Sequence, residues 1–115
     1  MAGVTIWHNP ACGTSRRVLE AIRAAGFEPE VVDYKRQPPG RAALAAAIAA
    51  AGLTPREAMR KKEGATWLAD PRLDDGALLD TMAGDPALIE RPFVFTPQGV
   101  RLCRPAERLA EILPG

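Results

Sequence analysis

Apolar side chains occupy Val4, Ile6 and Trp7 before the pattern breaks at Pro10, which predicts a short strand over residues 4–7. From Ser15 onward Val18, Leu19, Ile22 and Ala25 recur at helical spacing, and Gly26 supplies the stop. Residues 30–34, with Val31 and Val32 at their centre, form a second strand pattern before the loop Gln37-Pro38-Pro39-Gly40. The opening unit is therefore predicted to be βαβ, with its two strands parallel.

The middle of the chain is helical in pattern. Residues 41–51 are alanine-rich with Leu44 and Ile48 one turn apart, and Gly52 follows at the stop position. Thr54-Pro55-Arg56-Glu57 combines a capping box with proline at the first helical position, predicting a short helix that carries Arg60 and Lys61-Lys62. Asp74 caps a further helix through Leu78, Leu79 and Met82 to Gly84, and residues 63–72 between them are expected as loop.

Beyond Asp85-Pro86 the pattern changes again. Residues 92–95 and 100–103 are strand-like and flank Thr96-Pro97-Gln98-Gly99, whose proline and glycine positions suit a type I turn, so the pair predicts an antiparallel hairpin. Pro105 opens a last helix through Leu109, Ile112 and Leu113, ended by Pro114-Gly115. The order βαβ, helices, ββα is that of an α/β, thioredoxin-like domain with a helical insertion, read as one domain over residues 1–115. In that layout the loop after the first strand lies beside the start of the hairpin, which brings Cys12 near Arg91-Pro92.

Composition narrows the function more than the fold. Fifteen basic against fourteen acidic residues give a net charge of +1, so no global field argues for nucleic acid or a membrane surface. No apolar run approaches the ~20 residues that span a bilayer, and the N-terminal residues lack a signal-peptide pattern. A cytoplasmic protein is expected, with monomer as the default state. One histidine and two cysteines far apart argue against a zinc site.

Cys12 stands where the strand pattern gives way to the helix pattern, with Arg16 and Arg17 close behind. Free amides at a helix start, the positive end of its dipole and nearby guanidiniums all favour thiolate over thiol, which makes Cys12 a candidate nucleophile. A phosphatase loop needs arginine six positions after the cysteine, and Val18 stands there. A dithiol site needs a second cysteine three positions on, where Ser15 stands. Cys12 is thus a monothiol without a local resolving partner. Cys103, between Leu102 and Arg104 in a strand pattern, fits a buried structural thiol on position alone.

The motif His8-Asn9-Pro10-Ala11-Cys12-Gly13-Thr14-Ser15-Arg16, together with Arg60, Ile89-Glu90-Arg91-Pro92 and Arg101-Leu102-Cys103-Arg104-Pro105, resembles the glutaredoxin-dependent arsenate reductase family. The resemblance covers nearly the whole chain. It implies the same thioredoxin-like fold, a cis Arg91-Pro92 bond, and reduction of arsenate to arsenite in which Cys12 attacks arsenate, glutathione attacks the bound arsenic and glutaredoxin removes the glutathione. Glutathione is then a co-substrate, and no tightly bound cofactor or metal is implied.

Arg60, Arg91 and Arg104 match the family's three anion-binding arginines, whose guanidiniums offer bidentate bonds to a tetrahedral oxyanion and lower the pKa of the thiol. His8 matches the family histidine near the thiol, where hydrogen bonding would hold the loop. Ser15 lies at the helix start, where its hydroxyl and amide could both face the sulfur. Lys61-Lys62 is a solvated face that could help dock glutaredoxin. Residues 61–74 are shorter than in the family and differ in composition, and the chain stops at Gly115 where many members continue. Two other readings use the same fold: a glutathione-linked thiol/disulfide reductase that needs no anion pocket, and a non-enzymatic regulator bound to the transcription machinery.

Overall fold

The computed structural model describes residues 3–113, so Pro114 and Gly115, expected to end the last helix, lie outside the described residues. Two compact units result, one from the segments up to Gln37 and from Arg91 onward, the other from Pro38–Glu90.

The first unit is built on a four-stranded mixed sheet. β1 (Thr5–His8) and β2 (Glu30–Asp33) are parallel, as the βαβ reading requires, with α1 (Gly13–Ala24) between them. β3 (Phe93–Thr96) pairs antiparallel with β1, and β4 (Gly99–Leu102) antiparallel with β3, giving the order β2-β1-β3-β4 of a thioredoxin-like sheet. Strand alternation sends Ile6 and Val94 to one face, where Val18 and Ile22 of α1 meet Leu109, Ile112 and Cys103 in a buried core. Trp7, Phe93 and Phe95 point the other way and stack as tilted rings 5.7 and 4.8 Å from Trp7. Helix α1 stops at Gly26, whose φ of 97° lets Phe27 donate back to the Ile22 carbonyl.

The C-terminal helix departs from expectation. It is a 3₁₀ helix over Ala106–Glu111 and not an α-helix. Ala106, Leu109 and Ile112 all face the core at intervals of three, a row that a helix with three residues per turn keeps in line. Its end is tied down by the Thr96 hydroxyl, which donates to the Ile112 carbonyl at 2.6 Å.

The second unit, the helical insertion, has α2 (Arg41–Ala50), α3 (Pro55–Ala58), α4 (Ala65–Leu68), α5 (Asp75–Gly84) and a 3₁₀ turn at Pro86–Leu88. Both expected caps form: Thr54 and Glu57 bond reciprocally, and Asp74 accepts from the Ala77 amide. Two expectations need correction. Helix α3 ends at Ala58 and does not carry Arg60, Lys61 and Lys62, because the chain turns extended at Met59, which bridges Ile89. The Arg60 amide is then bonded to the Leu88 carbonyl and the Glu90 amide to the Ala58 carbonyl, both at 2.8 Å. Within residues 63–72 the expected loop contains α4, whose last carbonyl is satisfied by the Arg56 guanidinium, 2.8 Å from Leu68 O.

Gly64 precedes α4 where a side chain has no room: a Cβ there would stand 2.6 Å from the Arg60 carbonyl oxygen and 2.6 Å from Met59 Cγ. Gly64→Ala should therefore lower stability by about 1–3 kcal/mol, measured as a fall in the urea midpoint. An unchanged midpoint would show that the backbone at Arg60 gives way freely.

Candidate active site

The loop from β1 into α1 is shaped by its own polar groups. Asn9 Oδ1 accepts from the Ala11 amide at 3.0 Å, and the Asn9 carbonyl accepts from the Cys12 amide at 3.0 Å, closing the turn around Pro10. Cys12 is then the N-cap of α1, with no side-chain cap bond, so the helix start keeps free donors for the sulfur. Asn9 was not singled out in the sequence; asparagine before proline at a strand end was the available signal, and here it is 5% exposed and holds the cysteine loop.

His8 and Ser15 meet beneath that loop. His8 Nδ1 and Ser15 Oγ are 2.6 Å apart, and the same hydroxyl accepts from the Asn9 amide at 3.0 Å. With the amide proton already given to the oxygen, the hydroxyl proton is free to be donated to Nδ1. Burial lowers the His8 pKa, Asp33 opposes it and Arg23 and Arg16 push the same way as burial, so the neutral ring is favoured. Ser15 thus divides its groups. Its amide faces the sulfur, as expected, while its hydroxyl is engaged by His8 and Asn9.

Arg91 and Arg104 flank the open end of the hairpin, where Phe93 pairs with Leu102, and both converge on Cys12. Arg104 Nη1 stands 3.8 Å from Cys12 Sγ and 3.3 Å from the Arg91 carbonyl, and the Arg91 guanidinium is near enough to the sulfur to favour its thiolate. Arg91 Nε is buried with no partner among the described residues, a donor left for a further acceptor. The Arg91-Pro92 bond is cis, as the resemblance implied, and so is Arg104-Pro105. Arg60 lies in the second unit, where Nε donates to Glu63 and Nη1 to Glu90, each at 2.9 Å. Neither carboxylate was foreseen as its partner.

Burial pushes the Cys12 thiol up, but the Ser15 amide and the Arg91 and Arg104 guanidiniums outweigh it, and the pKa falls from 9.0 to about 7. Cys103 is the opposite case: fully buried in the core, its thiol is pushed up to about 12 by desolvation. Both cysteines are free. At pH 7 about half of Cys12 is thiolate against about 1% for an unshifted group, and with the weaker nucleophilicity of a low-pKa thiolate set against that gain iodoacetamide should still label Cys12 several-fold faster than an equally buried ordinary thiol. The rate should inflect near pH 7, and Cys103 should label only after denaturation. An inflection near pH 9 would remove the case for an activated thiol.

The fold and this constellation define a thioredoxin-like protein with a single cysteine presented to arginines. The profile of the ArsC family matches residues 7–112, and the chain belongs to that family. It is 57% identical to an arsenate reductase of Rhizobium meliloti (strain 1021), over 96% of this chain and 81% of that protein. Identity is 47% to an arsenate reductase of Escherichia coli (strain K12), over 99% and 83% of the two chains. Among solved structures, an arsenate reductase from Vibrio cholerae superposes with a TM-score of 0.90 at 37% identity, over 96% and 98% of the two chains. Among the described residues no helix is long and apolar enough to cross a membrane, and no three metal-ligating side chains gather.

Proposed function

We propose that the protein reduces arsenate to arsenite in the cytoplasm, with Cys12 as nucleophile and glutathione and glutaredoxin as the source of electrons. The observation that carries this reading is the Cys12 thiol, lowered to about 7 at a helix start and faced by Arg91 and Arg104. A tetrahedral oxyanion suits this geometry better than a disulfide does, because Arg91 Nε has a buried donor to give and a disulfide accepts poorly. The names of the similar proteins from Rhizobium meliloti and Escherichia coli support the same substrate.

In the proposed sequence the Cys12 thiolate attacks arsenic, a sulfur–arsenic bond forms and one oxygen leaves as water. Glutathione displaces a second oxygen as water, leaving arsenic(V) joined to two sulfurs. A glutaredoxin thiolate then attacks the glutathione sulfur; that sulfur–arsenic bond breaks, its electron pair stays on arsenic, and arsenic(III) forms beside a glutathione–glutaredoxin disulfide. Water releases arsenite and returns the Cys12 thiol. His8 and Ser15 hold the loop and direct the Ser15 amide at the sulfur. Arg91 and Arg104 bind the oxyanion. Arg60, paired with Glu63 and Glu90 in the second unit, is the third arginine that the family resemblance implies.

A coupled assay with glutathione, glutaredoxin, NADPH and glutathione reductase tests the reading. Arsenate should sustain NADPH oxidation, and phosphate should not be consumed. Turnover of a small disulfide with none of arsenate would replace this reading by the thiol/disulfide reductase. Turnover of neither would leave the non-enzymatic regulator.

A further inference from the structure

Beside the cysteine loop the first unit carries a cleft of about 290 Å³. One wall is Asn9, Pro10 and Ala11, the residues leading into Cys12, and the other is Asp33, Lys35 and Arg36, in the turn after β2. Parallel pairing of β1 and β2 puts the walls together, with His8 directly opposite Asp33. Both walls are fixed by local bonds. The Asp33 carbonyl accepts from the Arg36 and Gln37 amides at 3.0 and 2.8 Å, and its Oδ1 accepts from the Lys35 amide at 3.2 Å. The ion pairs found among the described residues use neither Lys35 nor Arg36, so both cations are uncommitted.

A carboxylate beside two cations is a poor seat for arsenate, because Asp33 repels a dianion. It suits a ligand carrying both signs. Glutathione has one ammonium and two carboxylates at its ends, with its thiol between them. The cleft offers one carboxylate, two cations and an apolar floor in Pro10 and Ala11, and Ala11 is bonded directly to Cys12.

We propose that this cleft binds glutathione by its charged ends, Asp33 taking the ammonium and Lys35 and Arg36 the carboxylates, so that its thiol is presented to the group on Cys12. The proposal rests on glutathione being the reductant, and it explains why a charged tripeptide would be preferred over a small neutral thiol.

The test uses disulfide exchange, which needs no arsenate: the Cys12 thiolate attacks one sulfur of glutathione disulfide, the S–S bond breaks, a mixed disulfide forms and glutathione thiolate leaves. Its rate is compared with that of uncharged hydroxyethyl disulfide, at 0.3 M salt, where the screening length is about 5–6 Å and distant charges are muted. The whole protein should prefer glutathione disulfide, and Lys35→Glu/Arg36→Glu should lower the ratio of the two rates about tenfold, the worth of two exposed charge pairs turned to repulsion. In the coupled arsenate assay the same variant should raise the KM for glutathione and leave that for arsenate in place. An equal ratio in wild type and variant overturns the proposal whatever the arsenate assay gives. A selective ratio lost in the variant, with no arsenate turnover by the wild type, supports the cleft and removes only the arsenate reading.

Discussion

Cys12→Ser should reduce arsenate-dependent turnover by at least about 10³-fold in the coupled assay, because a hydroxyl at neutral pH has almost none of the anionic form that attacks arsenic. The substitution is suited to isolating chemistry from folding. Serine is a preferred N-cap, and its hydroxyl can take the place of the sulfur at the N-cap of α1 and still accept from Arg104, so thermal unfolding should be held or slightly raised. Cys103→Ser gives the reverse pattern: a hydroxyl enters a fully buried core position, stability falls by about 1–3 kcal/mol and arsenate turnover of the folded protein persists. Residual turnover in Cys12→Ser above about 0.1% would mean that another group attacks the oxyanion.

That contrast between the two cysteines was legible in the sequence because it depends on local surroundings. A cysteine among Gly13, Thr14 and Ser15 at an element boundary and one beside Leu102 in a strand differ within a few residues of themselves. The strands, the Thr54 and Asp74 caps and the hairpin were equally local; both caps lie where the pattern put them and each strand within one residue of it. Features set by distant partners were not legible. Arg60 looked like the end of a helix, but pairing with residues about thirty positions on draws it into an extended segment and hands its guanidinium to Glu90. Helix α4 depends on Arg56 for its last carbonyl, and nothing within residues 63–72 announces that. The Ser15 hydroxyl was expected to face the sulfur beside its amide, and its bond to His8 instead follows from how β1 enters the loop. The 3₁₀ helix is the exception, since the spacing of Ala106, Leu109 and Ile112 was there to be counted.

Arg91→Ala should lower kcat/KM for arsenate by about 10²–10³-fold, equivalent to about 2.7–4 kcal/mol of transition-state stabilisation from a buried charged donor. Two effects contribute, and pH separates them. Removing a cation that favours the thiolate raises the Cys12 pKa above about 7, so at neutral pH less thiolate is present and the rate profile moves to higher pH. Raising the pH restores the thiolate, and iodoacetamide labelling should recover fully. Arsenate turnover should not recover, because the guanidinium and its unpartnered Nε are missing from the oxyanion itself. Arg91→Lys should return much of the pKa shift through its charge but only part of the arsenate rate, since an ammonium lacks the planar pair of donors. Full recovery of arsenate turnover by Arg91→Ala at high pH would confine Arg91 to tuning the thiol and leave oxyanion binding to Arg104.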